Sequence, residues 1–191
     1  MKKIILFCSI LLFFQSHIIQ AQSSDRVHHL GIEMQWYPAG YQFMATSEMS
    51  LSSKDALHGK IGYNMAHRQG FSPYNDLENG GGLGFTLGYH RYFKDGFKGL
   101  YIGGRVDFWW LTIDWEDDLA SANPRMGTTK ITVFQPTGEL GYMYQLADTP
   151  WAIGINVSVG WEVNIKTEGD PVGEGAIGLL GVRGRYLLGN K

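Results

Sequence analysis

His67 is the residue whose type first suggests chemistry, because a histidine can activate a serine nucleophile that lies within hydrogen-bond reach. Arg68 and Gln69 follow it, and the next serine, Ser72, is five residues away. This spacing does not indicate a nucleophile–base pair. We therefore predict no catalytic residue and expect His67 to mark the start of a loop.

Two further segments carry groups that could bind ions. Asp114, Glu116, Asp117 and Asp118 offer the oxygen ligands that Ca²⁺ prefers, but their spacing follows no calcium-loop pattern. The glycine run 79–84 precedes a predicted strand, whereas a dinucleotide-binding turn opens a helix. We predict a solvated acidic loop, no metal site and no cofactor.

The N-terminal segment has the pattern of a secretion signal. Lys2 and Lys3 precede a mostly apolar run, residues 4–14, and Ala21 offers a small residue for cleavage before Gln22. The run is shorter than the roughly 20 apolar residues of a spanning helix. We predict a signal peptide over residues 1–21 and one mature domain over residues 22–191.

Composition limits the partners of this domain. Cys8, the single cysteine, lies in the predicted signal, so disulfides and cysteine metal sites are not expected. Without Lys2 and Lys3, 14 basic residues remain against 18 acidic ones, which argues against a nucleic-acid partner. Glycine, at 26 of 191 residues, exceeds its usual share of about 7% and favours β structure with close backbone contacts.

Apolar and polar residues alternate with a period of two in eight segments, which is typical of barrel strands. The segments are 30–36, 41–51, 57–65, 83–90, 100–110, 131–144, 151–163 and 176–188. In the sixth, apolar residues change from odd positions (Ile131, Val133) to even ones (Leu140, Tyr142), with Pro136 between them. We therefore predict a β-bulge near residues 135–137.

The connections alternate in length. Those after segments three, five and seven are long and polar (68–81, 114–127, 166–173), and those after two, four and six are short (52–55, 94–98, 147–150). The first outside connection, 38–40, is also short and fits less well. The alternation is typical of outer-membrane barrels. The predicted fold is all-β, a single eight-stranded antiparallel up-and-down transmembrane β-barrel.

The polar face of these strands is rich in glycine and sparse in charge, which suits a barrel interior better than a water-exposed surface. Buried charges persist when they are paired, and the ions on this face nearly balance. The predicted lumen charge network consists of Glu33, Glu48, Lys60, Arg105, Asp107, Glu139, Glu162, Arg183 and Arg185, with His58 and His90 beside it. A soluble barrel such as a lipocalin, with its apolar face inward, is the alternative.

Four tryptophans on the apolar face are predicted at membrane interfaces, where amphipathic rings accumulate. Trp36 and Trp110 would lie at the outer rim and Trp151 at the periplasmic rim. Trp161 follows Trp151 by ten residues on the same face. At about 3.3 Å per residue and a tilt near 40°, that separation spans about 25 Å, the height of the apolar band of such barrels.

With this pattern the chain resembles the small outer-membrane barrels of the OmpA/OmpX type and, more generally, outer-membrane β-barrel proteins of Bacteroidetes-like bacteria. The resemblance rests on the signal segment and on runs such as GFTLGYHRYF (84–93), ITVFQPTGELGYMY (131–144) and GAIGLLGVRGRYL (175–187). It implies a Gram-negative outer-membrane location, contact with outer-membrane lipids and lipopolysaccharide, and insertion by the barrel-assembly machinery.

Two features depart from patterns found in such barrels. Relatives often end in an aromatic residue that the assembly machinery recognises, whereas this sequence ends in Leu-Leu-Gly-Asn-Lys. Lipid A deacylases of similar architecture carry a His-x-Ser pair, and His67 has no serine at that spacing.

Three kinds of function are compatible with this sequence. The first is a structural or surface-interaction barrel with a closed lumen, because eight strands leave an interior that side chains can fill. The second is a narrow channel or a carrier for small hydrophobic molecules. The third is a soluble periplasmic ligand-binding barrel or a lipid A-modifying enzyme. We expect the first, as a non-enzymatic monomer.

Overall fold

The computed structural model describes residues 27–70 and 72–188, so the predicted signal peptide and Cys8 lie outside the described residues. Eight antiparallel strands follow one another around a closed barrel, each paired with its sequence neighbours, and β1 closes on β8. This confirms the predicted fold. The strands are β1 (His28–Tyr37), β2 (Gly40–Ser50), β3 (Asp55–Gln69), β4 (Leu77–Tyr92), β5 (Gly99–Asp117), β6 (Arg125–Gln145), β7 (Trp151–Glu168) and β8 (Gly175–Leu188). The described part of the chain holds no helix with the length and hydropathy of a membrane span.

The two ends of the barrel differ. The turn end carries residues 51–54, 93–98 and 146–150 together with the start of β1 and the end of β8; the loop end carries residues 70–76, 118–124 and 169–174 and the β1–β2 turn. Strand length also varies around the wall, from 10 residues in β1 to 21 in β6. A tilted spanning strand needs about 9–11 residues. β1 therefore has just that length, and β6 has about twice it.

The extra length lies in the segments that the sequence pattern assigned to long loops. Of the predicted connection 68–81, only 70–76 lies outside strands, and of 114–127 only 118–124. The predicted loops were therefore too long. The cause is a reversal of polarity along the strands: near the loop end of β5, Leu111, Ile113 and Trp115 point inward while Thr112 and Asp114 point outward.

This reversal divides the outer surface into two zones. The apolar belt covers the turn-end half and the middle of the barrel, where Ile32, Ile61 and Val159 are each about 70% exposed (73, 68 and 70%). The polar collar is the loop-end extension, chiefly residues 111–117 of β5 and 125–133 of β6, with Thr128 and Lys130 on its outer face. Inside, most of the paired charged side chains lie within the belt, and the largest apolar cluster lies within the collar.

Because of the same reversal, the predicted β-bulge near residues 135–137 is wrong. β6 keeps its odd residues inward throughout, so Ile131 and Val133 are buried inside the collar and no residue is inserted near 135–137. The β6–β7 register shifts instead between Thr132 and Val133, where β7 carries the extra residue, Ile165. Pro136, which has no N–H to donate, has no partner in the β6–β7 ladder.

Candidate functional site: a lumen filled by ions and capped at both ends

The lumen within the apolar belt contains four carboxylates and four cations. Their side chains are at most 5% exposed: Glu33, Glu48, Asp107 and Glu139 with Lys60, Arg105, Arg183 and Arg185. The formal charges of this set cancel. The strands bring these groups together from six positions around the wall, since alternate residues of β1–β3, β5, β6 and β8 all face the axis.

Glu33 and Glu139 are the centres of this network. Glu33 Oε2 lies 2.8 Å from Lys60 Nζ and 2.8 Å from Arg183 Nη2. Glu139 Oε2 lies 2.8 Å from Arg105 Nη1, and its Oε1 lies 3.3 Å from Arg183 Nη2. Arg183 therefore bridges the two carboxylates, and removal of one member leaves an opposite charge buried without its partner.

Arg105 connects the network to polar neighbours on its own strand, β5, and on two other strands, β1 and β6. Its Nη1 donates to Glu139, its Nη2 donates to Gln35 Oε1 at 2.8 Å, and its Nε donates to Asp107 Oδ2 at 3.1 Å. Gln35 in turn donates to Glu33 Oε1 at 2.6 Å. All three nitrogens of the guanidinium are thus used, which gives this side chain a fixed orientation.

Glycines on the inner face make room for the largest side chains. A Cβ built on Gly141 would lie 2.3 Å from the Tyr101 ring, and one on Gly88 would lie 2.2 Å from His58 Nε2. His58 stacks on His90 with ring centroids 4.0 Å apart, and Tyr101 donates to Glu139 Oε1 at 2.8 Å. The rings from neighbouring strands therefore occupy the space that the missing glycine side chains leave in the lumen.

The β4–β5 turn caps the turn end. Phe97, which has a φ of 56°, is only 4% exposed and packs edge-to-face against Tyr92 at 5.5 Å and His29 at 5.8 Å. Its carbonyl oxygen accepts a hydrogen bond from Arg185 Nη2, and Arg185 Nη1 contacts Glu48 at 3.2 Å. The cap is thereby attached to the ionic network.

The β7–β8 loop caps the loop end. Val172 is 2% exposed and packs into an apolar cluster inside the collar. The other members of the cluster are Met44, Ala66, Trp109, Leu111, Ile113, Trp115, Ile131 and Val133. Because this cluster lies between the ionic network and the loop end, it forms a second, apolar layer across the lumen.

Three charged residues hold this loop in place. Glu78 accepts the Gly173 N–H at 3.0 Å and the Asn75 Nδ2 at 2.9 Å, and Arg68 Nη1 donates to Glu78 Oε2 at 3.1 Å. Arg68 Nη1 also donates to the Gly173 carbonyl at 2.7 Å, and its Nη2 donates to Glu162 Oε1 at 2.5 Å. We call Arg68, Glu78 and Glu162 the loop clasp.

The predicted network residues therefore fall into two groups. Eight of the nine lie in the ionic network, whereas Glu162 lies in the loop clasp, with Arg68 and Glu78. The sequence pattern missed these two partners because both were assigned to a long loop. Their inward position follows from the strand alternation once it is extended past Ala66 and before Gly80.

The four predicted interface tryptophans all lie on the outer face and are about half exposed, Trp36 at 50%, Trp110 at 53%, Trp151 at 51% and Trp161 at 56%. Trp151 begins β7 at the turn end. Trp110 is the last apolar outward residue of β5 before Thr112 and Asp114 begin the collar. Their positions mark the two edges of the apolar belt.

The groups considered for catalysis and ion binding have ordinary surface partners. His67 lies on the outer face of β3, not at a loop start, and its Nδ1 contacts Asn79 Oδ1. Asp117 and Asp118 contact Arg125. Within residues 27–70 and 72–188, no three His, Asp or Glu side chains are grouped to hold a metal ion.

Comparison with known proteins yields structural matches only. No family model and no curated protein matches the sequence. Neisserial surface protein A (NspA) is 10% identical, with a TM-score of 0.51 over 84% of this chain and 94% of that one. The N-terminal β-barrel domain of Pseudomonas aeruginosa OprF is 12% identical, with a TM-score of 0.44 over 84% of this chain and 97% of that one. The likeness to NspA shows a common fold, the closed eight-stranded barrel expected from the resemblance to the OmpA/OmpX type.

Proposed function

We propose that this chain is an integral outer-membrane β-barrel with a closed lumen and a structural or surface-interaction role carried by its loop end. The observation that carries the proposal is the packing of side chains along the lumen. An ionic network and an apolar cluster fill successive layers, and Phe97 and Val172 cap the two ends.

The outer surface supports the membrane location. A belt of exposed aliphatic side chains surrounds the barrel between tryptophans, and such a contiguous apolar surface is unfavourable in water but favourable against acyl chains. A soluble barrel would instead expose the charged residues that are buried here. The loop end, with its polar collar, would face the outside and the turn end the periplasm, as in barrels with short periplasmic turns.

The packed lumen supports the proposed role over the channel alternative. A conducting eight-stranded barrel would need a continuous aqueous path, whereas paired ions and apolar side chains occupy the lumen here. The residues at the loop end are then the ones available to a partner outside the cell. NspA, which has the same fold, is named as a surface protein.

Two measurements on the full chain test this proposal. Cell fractionation with heat-modifiable gel mobility should find a folded barrel in the outer membrane, in contact with its lipids and lipopolysaccharide. Purified protein in planar bilayers should show no steady current. Steady ohmic conductance would favour the narrow-channel alternative, and recovery in the soluble periplasm would contradict the membrane location.

A further inference from the structure

The turn end of the barrel carries a patch of accessible positive charge. Its members come from the β2–β3 and β4–β5 turns and the strand ends beside them, and we call them the basic patch: Lys54, Arg91, Lys94 and Lys98. The same two segments also contain Asp55 and Asp95, so four cations against two carboxylates leave a formal charge of +2. The three long connections of the loop end, by contrast, carry four carboxylates and no lysine or arginine. The two ends of the barrel therefore differ in the sign of their charge.

The two turns that form the basic patch lie side by side. The Gly96 N–H donates to the Ser53 carbonyl at 3.2 Å and joins one turn to the other. Arg91 pairs with Asp55 at 2.7 Å, whereas the three lysines of the patch have no carboxylate partner among the residues that the structure describes. An anion that binds to these lysines would therefore displace no existing ion pair.

An apolar groove lies in the belt next to the basic patch. One row of outward residues across β1–β4 consists of Leu30, Ser47, Gly59 and Leu87, paired in that order. The two small residues lie between two leucines, and together with Ala45 of the next row they leave a depression of about 470 Å³. A Cβ built on Gly59 would meet no atom closer than 3.8 Å, so the groove is open to an apolar chain.

The groove and the basic patch are close enough for one amphiphile to reach both. Gly59 in the groove and Asp55, the partner of Arg91, are four residues apart on β3, which is about 13 Å at 3.3 Å per residue. One half of the hydrocarbon core of a bilayer is about 15 Å thick. An acyl chain that lies in the groove would thus place its headgroup beside the basic patch within a single leaflet.

We propose that the groove and the basic patch together bind one anionic phospholipid of the periplasmic leaflet. One acyl chain lies between Leu30 and Leu87, and the headgroup phosphate contacts Lys54 and Lys94. The affinity combines buried apolar area with the attraction between cations and an anionic headgroup. The site rests on the proposed function, because it requires the turn end to face the periplasm.

The charges favour this lipid over three other occupants. Lipopolysaccharide belongs to the outside leaflet, where the acidic loop end would repel its phosphates. A second copy of this chain in the groove would bring two basic patches together, since a symmetric dimer uses the same surface twice. A zwitterionic phospholipid would fill the groove but would gain no net attraction from the patch.

The test uses the full barrel, folded in a neutral polyether detergent, with native mass spectrometry as the readout. Dioleoyl phosphatidylglycerol and dioleoyl phosphatidylcholine have the same acyl chains and differ in net charge, and each is titrated separately. The anionic lipid should bind at least tenfold more tightly. A lysine near an anionic headgroup strengthens binding about fivefold, so Lys54→Gln/Lys94→Gln should remove this preference and leave phosphatidylcholine binding unchanged. Gly59→Leu, which fills the groove, should weaken the binding of both lipids at least fivefold.

Two variants away from the site are the matched controls. Lys130→Gln removes an exposed lysine of the collar, and Gly178→Leu adds a side chain at an outward position of β8 where a Cβ would meet nothing within 4 Å. Both should bind the two lipids like wild type, and heat-modifiable mobility shows that each variant is a closed barrel.

Four results would overturn this proposal. They are equal affinity for the two lipids, a preference that survives in the double lysine variant, wild-type binding by Gly59→Leu, and a dimer that Gly59→Leu dissociates. In each case an unchanged outer-membrane location and absent conductance would leave the proposed function intact. Recovery of the protein in the soluble periplasm would instead contradict both the lipid site and the proposed function.

Discussion

Arg105 shows how much stability one buried ion can carry in this barrel. It donates to Asp107, Glu139 and Gln35, and all of these groups are buried. Arg105→Ala should lower the free energy of unfolding by about 3–5 kcal/mol, because two carboxylates lose a cation in a low-dielectric interior. Denaturant unfolding of the refolded barrel, followed by gel mobility, measures this loss.

Arg91 provides the matched control for that experiment. It pairs with Asp55 at 2.7 Å, but its side chain is 56% exposed at the turn end. Arg91→Ala should therefore move the unfolding midpoint far less than Arg105→Ala. Equal midpoints for wild type and Arg105→Ala, together with unchanged permeability, would mean that the assigned lumen network does not stabilise the barrel.

Gly141 illustrates a constraint from packing alone. A methyl group there would meet the Tyr101 ring at 2.3 Å, and that ring is buried and hydrogen-bonded to Glu139. We expect Gly141→Ala to cost about 1–3 kcal/mol of stability, as overpacking usually does. Gly138→Ala, three residues away on the outer face with its nearest atom at 3.9 Å, should be almost neutral in the same unfolding assay.

At the scale of elements, the β7–β8 loop depends on the loop clasp. Glu78 accepts hydrogen bonds from Gly173, Asn75 and Arg68, so Glu78→Ala should release the loop from the barrel mouth. Backbone amides of Asp170 and of residues 172–174 should then exchange with deuterium at least tenfold faster, since their opening no longer breaks these contacts. Hydrogen-exchange mass spectrometry reads this region directly.

Glu168→Gln is the control for the loop experiment. Glu168 lies on the surface of β7, where it contacts Lys166, and it does not contact the loop clasp. Exchange in the β7–β8 loop should therefore stay at the wild-type rate. Slow exchange in both variants would indicate that Val172 packing, and not the clasp, holds the loop.

The sequence predicts the number and the order of the strands, and it predicts which residues of the belt face inward. It does so because apolar and polar residues alternate there with a clear period of two. Segment 100–110, for example, alternates without interruption, and β5 contains it whole. The collar could not be predicted in the same way. Its inward residues Ile131 and Val133 are apolar and its outward Lys130 is polar, so the rule that apolar residues face outward gives the wrong face there.

The site was less predictable than the fold. The eight charged residues of the ionic network occupy the alternate positions of their strands that face inward, and the alternation in the sequence reveals these positions. The two caps are different, because Phe97 and Val172 lie in connections and no periodicity marks them. Arg68 and Glu78 were hidden for a related reason, since polar residues next to a turn look like loop residues. Tertiary contacts alone bring Phe97 and Val172 to the lumen, whereas Arg68 and Glu78 face inward through the alternation of β3 and β4.

For the whole molecule, the proposed bilayer location predicts that accessibility changes at the boundary between belt and collar. Cysteines placed at Ile155 and Val157, at mid-height of the belt, should resist a water-soluble maleimide in lipid vesicles. Cysteines at Thr112 and Thr128, on the outer face of the collar, should react rapidly. Comparable labelling at all four positions would exclude the bilayer orientation.

The free-energy cost of an arginine on the outer face should also change at the boundary between belt and collar. Ile155 and Thr112 both point outward and lie on wall strands, but Ile155 is midway between Trp151 and Trp161, whereas Thr112 lies beyond Trp110. Arginine on the lipid face costs about 2–4 kcal/mol at the midplane and about 0–1 kcal/mol near the interface. Ile155→Arg should therefore destabilise the barrel in phospholipid vesicles by the larger amount, and Thr112→Arg by little. In a water-exposed barrel both positions would be solvated, and the two variants would unfold at similar denaturant concentrations. The difference between their midpoints thus measures whether lipid or water surrounds β7.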